Sequence, residues 1–414
     1  MTAGSPTVAR VLRGELCAGC GLCAAVAPGA IEMGTAAPGY SRPRQIGPVG
    51  ADAERVIAAA CPGAVVEPWP PAPGAGDAPH VHPVWGPWRS ISTGYATDEQ
   101  VRWRASSGGA LTALLIHALR SGVVDRVVHV SADPRHPTRN VMTVSATETD
   151  LIDGAGSRYS ASSPLAVIEE VLAGAGAAAF VGKPCDVSAL RRLARVDPRV
   201  GRRFPLALSF FCAGVSSHDA AGRLLGAMGV APEAVTAFRY RGEGWPGNAA
   251  ARLADGSVRE LRYAESWGEH LSGEVQFRCK ICPDAVGGVA DIACADAWYG
   301  DADGYPNFEE QDGRSLIMAR TPAGERLLAS ALAAGALAAE PLEVDKIDLM
   351  QPGQARRKRL VRARLAALAL TLQPRPDMRG TRIEAASLRA GLGEQARNLV
   401  GTVRRVVNGR RSRR

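Results

Sequence analysis

The middle of this 414-residue chain alternates short apolar strands with amphipathic helices, and this alternation limits the folds open to it. The segment ALTALLIHAL places apolar residues at i, i+3, i+4, i+7 and i+8, which predicts a helix over 110–119. Gly122 ends that helix, and VVDRVVHVS follows as a β-branched strand. PLAVIEEVLAGAG with AAAFVG, and VSALRRLARV with PLALSFF, repeat the order. The sequence therefore predicts an α/β fold (α+β overall) around a mostly parallel sheet.

Length and composition set the class of protein. A chain of this size with 46% hydrophobic residues can bury more than one core, so we expect two or three domains. No apolar run reaches the 18 or so residues of a membrane span, and the start MTAGSPTVARVLRGEL lacks a secretory h-region. We expect a cytoplasmic protein, where nine cysteines indicate metal or redox chemistry rather than disulfides.

Four cysteines follow predicted strands or form a close pair. Cys185 follows AAAFVG, Cys212 follows LALSFF, and FRCKICPD supplies Cys279 and Cys282. Ligands in open α/β sheets bind beyond the carboxyl ends of the strands, so the four thiolates could converge there. The alternative is two ordinary buried cysteines and half a zinc site. Cys294 is left over and is expected to pack as a small apolar residue.

A separate cysteine run, CAGCGLCAAVAP, opens the chain. Cys17, Cys20 and Cys23 stand two residues apart, which suits three corners of a 4Fe–4S cluster better than zinc. The usual motif ends in Cys-Pro, but here Ala27 precedes the proline. Cys61 lies directly before a distant proline and is the predicted fourth ligand. A zinc site or an empty relic of a cluster motif is the alternative.

Two stretches suit a phosphate-bearing cofactor. RASSGGALTALL opens the predicted helix with hydroxyls and unobstructed backbone N–H groups at its positive end, although serine there is also routine capping. GSRYSASSPL precedes another predicted helix and is suitable either for contacting a cofactor or as a turn. Neither stretch contains a dinucleotide-binding or P-loop fingerprint. The candidate residues are Ser106, Ser107, Gly108, Gly109, Ser157, Arg158 and Tyr159.

Lysine is rare in this chain, which has only four among its 49 basic residues. Two of the four, Lys183 and Lys280, stand beside the cysteines in GKPC and RCKIC. A compact point charge near an anionic cofactor suits such a position better than a planar guanidinium does.

The net charge of +8 is a property of the C-terminal end. Residues 355–414 carry 17 Lys and Arg against 3 Asp and Glu, a net of +14, so the rest carries −6. With aromatic residues at 5% and no basic–aromatic interleaving, we expect no nucleic-acid binding. The tail suits an acidic partner or a membrane surface, and a solvated helix face is the alternative.

Several of these stretches together resemble the coenzyme F420 hydrogenase/dehydrogenase beta-subunit family, which includes formate dehydrogenase beta subunits and 7-hydroxymethyl chlorophyll a reductases. The matching stretches are CAGCGLC, SSGGALTALL, GSRYS, GKPCDVSALRR, FFCAG, FRYRGEGWPG, RCKICPD and DIACADAW, in family order, followed by RRKRLVRARL. The resemblance implies an iron–sulfur flavoprotein with FAD and two 4Fe–4S clusters. Carried onto this chain, it implies that Cys185, Cys212, Cys279 and Cys282 hold the cluster beside the flavin.

The resemblance and the visible seams divide the chain into five parts. These are a ferredoxin-like 4Fe–4S module (1–70), a proline- and glycine-rich linker (71–88), a family N-terminal region with flavin contacts (89–170), a family C-terminal region with the second cluster (171–345) and a basic helical tail (346–414).

The implied activity is that of an oxidoreductase. Electrons would pass singly through the clusters and in pairs through FAD to or from a small organic substrate such as coenzyme F420, with Lys183 and Lys280 stabilising anionic reduced flavin. Ferredoxin or another one-electron carrier is the implied partner, and homo-oligomerisation is left open. The alternatives are an electron-transfer subunit of a larger hydrogenase or dehydrogenase complex, and a zinc-stapled protein without redox activity.

Overall fold

The computed structural model describes residues 4–69, 79–300 and 307–409. Over these ranges, no helix combines the length and apolar character that crossing a bilayer requires. The N-terminal elements are α1 (Pro6–Arg13), α2 (Leu22–Val26), β1 (Ile31–Ala36), β2 (Tyr40–Gln45) and α3 (Ala51–Ala60). Ser5 caps α1, since its hydroxyl accepts from Val8 N at 3.1 Å, and β1 pairs antiparallel with β2.

The central part of the chain holds most of the strands. Its first half consists of β3 (His80–His82), β4 (Gly86–Trp88), β5 (Ser90–Ala96), α4 (Glu99–Arg104), α5 (Ala110–Arg120), β6 (Arg126–Ala132), β7 (Asn140–Ser145), α6 (Glu148–Asp153), α7 (Ile168–Ala173), β8 (Ala178–Gly182), α8 (Pro184–Ala194), α9 (Pro198–Arg203) and β9 (Leu206–Phe210). The predicted helix over 110–119 and the strands leading to Cys185 and Cys212 are therefore confirmed.

The second half continues to the end of the described chain. It consists of α10 (His218–Ala227), β10 (Val235–Arg239), β11 (Ala249–Leu253), β12 (Val258–Leu261), α11 (Tyr263–Glu265), α12 (Phe277–Lys280), β13 (Ile292–Asp296), β14 (Ser315–Ala319), α13 (Pro322–Ala333), β15 (Leu337–Pro341), α14 (Ile347–Met350), α15 (Pro352–Leu370), α16 (Ile383–Ser387) and α17 (Leu392–Val407). A π-helical turn covers Ser266–Leu271, and 3-10 turns cover Pro232–Ala234, Ser272–Glu274 and Val344–Lys346.

Eight strands form the main sheet in the order β15-β5-β14-β13-β9-β8-β6-β7. The four inner strands β13, β9, β8 and β6 run parallel to one another, as the alternation predicts. The remaining four pairings are antiparallel, so the sheet as a whole is mixed. A smaller antiparallel sheet, β10-β11-β12, packs against α10.

Successive residues of the inner strands serve two different cores. Val127 and Ala179 pack on one face of the sheet with α5 and α13, whereas Val128 and Phe180 pack on the other face with α7 and α8. This follows from the two-residue period of a strand, which sends neighbouring side chains to opposite faces. Helices thus cover both faces, which is the layer arrangement expected for an α/β protein.

The N-terminal region packs directly against the sheet-covering helices. Leu22 and Ala60 lie in the same buried cluster as Leu190 of α8. His218 N donates to Gly39 O at 3.1 Å, which joins the β1–β2 turn to the start of α10. These contacts place the first cysteine run against the body of the protein.

The predicted linker at 71–88 is wrong for its second half. Residues 71–78 lie outside the described residues, but β3 and β4 form a hairpin whose turn buries Val84 and Trp85 completely. Trp85 Nε1 also donates to Asp348 Oδ1 at 3.0 Å. The burial of two large apolar side chains outweighs the unfavourable effect of the flanking proline and glycine residues.

The basic C-terminal end is helical, as predicted, but α15 is not a solvated helix. Leu360, Val361 and Leu368 are fully buried in it, and Lys358 is only 4% exposed. Lys358 donates to Pro283 O and Thr381 O, so its amino group lies among carbonyl groups inside the protein, where burial lowers its pKa to about 7. This helix therefore forms part of the core.

The hairpin histidine His82 makes stability pH-dependent. Its Nδ1 accepts from Val84 N at 3.3 Å and Trp85 N at 3.2 Å, and burial, followed by the charge of Arg389, lowers its pKa to about 4. Because the unfolded chain takes up this proton near pH 6.5, its stabilising contribution is complete above that pH and is lost between about 6.5 and 4. Between pH 7.5 and 5, the free energy of unfolding of His82→Asn should fall by about 2 kcal/mol less than that of the wild type. Urea unfolding of both proteins at each pH measures this difference. Parallel pH profiles for the two proteins would contradict this assignment.

Candidate functional site

The first cysteine group consists of Cys17, Cys20, Cys23 and Cys61. The loop between α1 and α2 carries the first two, and two left-handed glycines, Gly19 and Gly21, shape this loop with φ of +79° and +87°. Cys61 ends α3. Burial, followed by the neighbouring thiols of Cys17 and Cys61, raises the pKa of Cys23 to about 12. The four cysteines predicted to act together are therefore neighbours.

The second cysteine group consists of Cys185, Cys212, Cys279 and Cys282. Cys185 lies in the first turn of α8, and Cys212 lies two residues beyond β9. All four line one small cavity of about 20 Å³. Burial, followed by the nearby thiols of Cys279 and Cys282, raises the pKa of Cys212 to about 12. The structure thus brings together the four cysteines expected at this edge of the sheet.

Two buried polar side chains connect the cysteine groups. Gln276 Nε2 donates to Ala18 O at 3.3 Å and to Cys279 Sγ at 3.6 Å. The guanidinium of Arg278 donates twice to Pro62 O, at 3.2 and 3.0 Å, and this proline directly follows Cys61. The exposed fractions of Gln276 and Arg278 are 1% and 3%. The two groups therefore share a dry, polar wall, which the sequence did not predict.

Helix α15 supports the second cysteine group from the C-terminal side. Arg357 donates to Cys212 O at 3.0 Å and to Ala213 O at 2.5 Å. Arg364 donates to Lys280 O, between the two cysteines of the CKIC pair. Part of the basic charge of the C-terminal end is thus directed at the backbone around the cysteines.

A cavity of about 730 Å³ lies beside the second cysteine group. Cys212 and Cys279 line both this large cavity and the small one. The first residues of α5 lie on its wall, together with the ends of β8 and β9. The predicted cofactor and catalytic residues on the wall are Ser106, Ser107, Gly109, Ser157, Arg158, Tyr159, Lys183 and Lys280.

Gly108 is the predicted cofactor residue that does not line the large cavity. A side chain there would meet Gly94 O and Ser315 N at 2.7 Å, so its size allows the SSGG turn to pass against β5 and β14. Gly109, with φ of +75°, precedes the first residue of α5. Ser107 anchors the turn by donating to Arg314 O at 3.0 Å.

Two of the wall residues are held by other protein groups. Arg158 hydrogen-bonds Asn140 Oδ1 and the carbonyls of Phe238, Pro137 and Arg139, at 2.7–3.0 Å. Lys183 pairs with Asp186 at 2.7 Å. Burial opposes the charge of Lys183, but the adjacent Asp186 carboxylate and Cys185 hold its pKa above the ordinary value. It therefore stays protonated.

Sequence reasoning missed a buried arginine and its aromatic neighbours on the same wall. Arg241 binds both oxygens of Asp296, at 2.8 and 2.7 Å, and Trp245 Nε1 donates to Asp296 Oδ1 at 2.8 Å. The Arg241 guanidinium lies over the rings of Tyr263 and Trp298, at 4.6 and 4.9 Å from the ring centres. The available signal was the density of arginine and aromatic residues in FRYRGEGWPG, in a chain with few aromatics.

Cys294 lies outside both cysteine groups, as expected. It is buried in β13, and burial is the cause that raises its pKa to about 12. Among the described side chains, no three His, Cys, Asp or Glu residues converge on a point that could hold a single metal ion.

Comparison with protein-family models identifies the family to which this chain belongs. Residues 91–169 match the model for the N-terminal part of the coenzyme F420 hydrogenase/dehydrogenase beta subunit, and residues 176–345 match the model for its C-terminal part. The chain belongs to this beta-subunit family. The predicted family is confirmed, and membership assigns the chain an electron-transfer oxidoreductase role. The first cysteine group and helices α15–α17 lie outside the two matched regions.

Curated relatives carry related names. The chain is 25% identical over 286 residues to coenzyme F420 hydrogenase subunit beta of Methanococcus voltae, covering 65% of this chain and 88% of the relative. It is 24% identical over 294 residues to the protein of that name from Methanothermobacter thermautotrophicus, covering 69% and 96%. It is 26% identical over 234 residues to a coenzyme F420-dependent sulfite reductase of Methanocaldococcus jannaschii, covering 53% and 34%.

A solved structure shares the fold. It is a chain of the F420-reducing NiFe hydrogenase complex from Methanosarcina barkeri, with a TM-score of 0.54 and 19% sequence identity. The match covers 72% of this chain and 98% of the solved one. At this identity the likeness shows the fold alone.

Proposed function

We propose that this chain is an iron–sulfur flavoprotein oxidoreductase with two 4Fe–4S clusters and one FAD. The observation that carries the proposal is the shared wall of the two cavities: Cys212 and Cys279 border both the cysteine-lined cavity and the 730 Å³ cavity. A metal group and an organic cofactor held there would be direct neighbours. The adjacent first cysteine group extends the arrangement toward α1, within a ferredoxin-like module over residues 1–70.

The cysteine groups fit iron–sulfur clusters by donor type and charge. Each supplies four thiols, and each cysteine of a four-iron cluster binds a separate iron, so the ligands need not converge on one point. Burial raises the pKa of Cys61 to about 11 and that of Cys212 to about 12, so cluster loading must displace protons. Arg278 and Arg357 line the same small cavity as the second group and offset its negative charge, whereas Lys183 is paired with Asp186. The cavity that the four cysteines of the second group line has a volume of only about 20 Å³, so the cysteine side chains must move outward when a cluster binds.

The large cavity fits FAD by size and lining. Its volume lies within the roughly 300–1,000 Å³ typical of cofactor sites. The start of the 11-residue helix α5 provides backbone N–H groups and a positive dipole end for a pyrophosphate, next to the hydroxyls of Ser106 and Ser107. Tyr159 and Trp267, whose rings lie 4.8 Å apart, add aromatic surface for a planar ring.

In the proposed reaction the chain positions its cofactors and balances their charge. Bound clusters would supply single electrons, and bound reduced FAD would supply an electron pair as one hydride, so the groups would join one-electron to two-electron chemistry. Lys183 lines the cavity as an ammonium paired with Asp186, and we propose that it donates a hydrogen bond to an anionic ring system there. Lys280 lines the same cavity and is proposed for the same role.

For the external partners, we propose coenzyme F420 or another small two-electron substrate on one side. The names of the relatives support this choice. On the other side we propose ferredoxin or another one-electron carrier, because this chain has a cysteine group outside the regions matched by the family. The nine free cysteines support a reducing, cytoplasmic setting.

The composition of the protein tests this proposal. After anaerobic purification we expect iron and acid-labile sulfide for two four-iron clusters, and one FAD per chain. Stoichiometric zinc without flavin would instead support the zinc-stapled alternative and overturn the proposal.

A subunit role in a larger complex is the second candidate, because the solved structure of the same fold comes from a hydrogenase complex. Activity assays of the isolated chain, with its cofactors bound, should distinguish a self-sufficient enzyme from a subunit of a complex. Ferredoxin-dependent F420 reduction by this chain alone supports a self-sufficient enzyme. Flavin reduction by dithionite without turnover of F420, or of other two-electron acceptors, supports a subunit that needs its complex.

The buried amide of Gln276 should adjust the potential of the second cluster. It donates to Cys279 Sγ, and hydrogen bonds to ligand sulfur stabilise the more negative, reduced state. We expect Gln276→Leu to lower that potential by about 40 mV, for a hydrogen bond of about 1 kcal/mol. Spectroscopic redox titration measures the shift, and the potential of the first cluster should move less. A shift to higher potential would contradict this role.

A further inference from the structure

An exposed apolar patch lies outside the first cysteine group. Val11 of α1 and Leu368 of α15 belong to one buried cluster with Cys17, and the partly buried Val406 of α17 and Cys61 pack against it. A side chain placed at Gly14 would lie 3.1 Å from Pro374, so the end of α1 meets the turn after α15. Four apolar residues are exposed beside this junction: Leu12 (36%) on α1, Leu370 (70%) at the end of α15, Leu372 (92%) just after it and Val407 (74%) at the end of α17. We call these four residues the α1–α17 patch. Leu392 and Val400 are exposed farther along α17.

Basic side chains surround this patch. Arg10 and Arg13 lie in the last turn of α1, Arg375 follows α15, and Arg404 lies in the last turn of α17. All four are exposed.

The acidic residues on these three elements and in the turns beside them are paired or partly buried. Asp377 pairs with Arg379 at 2.5 Å, and Glu394 pairs with Arg356 at 2.5 Å. Glu15 is half-buried. The patch is therefore apolar in its centre and positive at its edge, which is the anatomy of a protein interface.

Leu372 strengthens this interpretation. Its φ is +54°, in the left-handed region that a large aliphatic side chain rarely adopts, and it is almost fully exposed. A leucine held in this conformation on the surface gains nothing from burial within the chain. Strained, exposed residues of this kind concentrate at binding sites.

We propose that the α1–α17 patch is the docking surface for a small acidic protein that carries single electrons. The proposal rests on the proposed function, and it adds the surface through which electrons enter. Charge complementarity selects an acidic partner, and the buried cluster that includes Cys17 and packs against Cys61 places the partner next to the first cysteine group. At each encounter the carrier is oxidised by one electron and this protein is reduced by one electron. An anionic membrane is the competing occupant of a basic apolar surface.

The test compares two electron donors on the loaded chain. The first donor is a purified acidic 4Fe–4S ferredoxin, and the second is reduced methyl viologen, which needs no docking surface. We expect Arg10→Glu/Arg404→Glu to lower the second-order rate of reduction by ferredoxin at low salt by about tenfold or more. The viologen rate should stay unchanged. The wild-type ferredoxin rate should fall steeply as ionic strength rises.

A second variant separates docking from folding. Leu372→Asn removes the apolar side chain and introduces a residue that tolerates the left-handed conformation, so the fold should be unaffected. It should weaken binding of oxidised ferredoxin to the protein, measured by calorimetry, with iron and flavin contents unchanged. Arg259→Glu, on the exposed strand β12, makes a single charge reversal elsewhere and should change little.

Three results would overturn the docking surface. One is equal loss of rate with ferredoxin and viologen, and another is a full ferredoxin effect from Arg259→Glu. The third is binding of the wild type to phosphatidylserine vesicles that the double variant loses while it keeps its ferredoxin rate. Absence of flavin and iron from the wild type would instead reject the proposed function, so the two failures are distinguishable.

Discussion

Cys212→Ala is expected to remove about half of the iron and acid-labile sulfide that the wild-type chain carries after anaerobic purification. The four-thiol arrangement around the small cavity loses one ligand, and three thiols hold a four-iron cluster less tightly. Because ligand binding stabilises the folded state, thermal stability should fall as well. Iron, sulfide and the visible spectrum measure the loss.

Two matched variants make this prediction specific. Cys294→Ala removes a buried thiol that belongs to neither cysteine group, and it should retain the full iron content. Cys61→Ala should remove the other half of the iron, and the double variant with Cys212→Ala should lose nearly all of it. Unchanged iron in Cys212→Ala, or equal loss in Cys294→Ala, would reject the assignment of the second group.

Among substitutions in the wall of the large cavity, Asp296→Ala should cause the largest decrease in the free energy of unfolding. Arg241 is 2% exposed, and its guanidinium depends on both oxygens of this carboxylate. Burial opposes the charge of Arg241, but Asp296 more than compensates and holds its pKa above the ordinary value. Removing the carboxylate leaves a buried, unpaired cation, which typically costs about 3–5 kcal/mol. Urea unfolding of the cofactor-free chain measures the free energy of unfolding.

The controls for this variant use the same residue type. Asp296→Asn keeps an acceptor for Trp245 and part of the contact with Arg241, so its loss should be smaller, about 1–2 kcal/mol. Asp52→Ala breaks an exposed pair with Arg55, whose side chains are 89% and 77% exposed, and should cost under about 1 kcal/mol. Equal effects of Asp296→Ala and Asp52→Ala would show that Arg241 does not need its partner.

Apolar patterns within single segments of the sequence correctly predicted individual helices and strands of the main sheet. The apolar stripe of ALTALLIHAL sets α5, and strands β8 and β9 follow from short apolar runs. Because ligands collect at strand ends, the positions of Cys185 and Cys212 beside a cavity could also be predicted. Whether clusters and FAD occupy these places stays a prediction.

Contacts between distant segments could not be predicted from one sequence. The hairpin around Trp85 is buried partly because Asp348, more than 260 residues later, accepts its indole N–H. Arg241 and Asp296 meet across 55 residues. Strand β5 lies between β14 and β15, which come from near the end of the family region, and no local period encodes this pairing. The antiparallel outer strands of the sheet therefore escaped the prediction.

The support that α15 gives to the second cysteine group also sets an order of assembly. The backbone carbonyls of Cys212 and Lys280 accept from Arg357 and Arg364, so the wall around these cysteines is finished only by a segment synthesised after all four of them. A nascent chain that has just exposed Cys282 still lacks this wall. Insertion of the proposed second cluster is therefore expected to follow synthesis of α15, and a chain that stops before residue 352 would leave the four thiols without this cover.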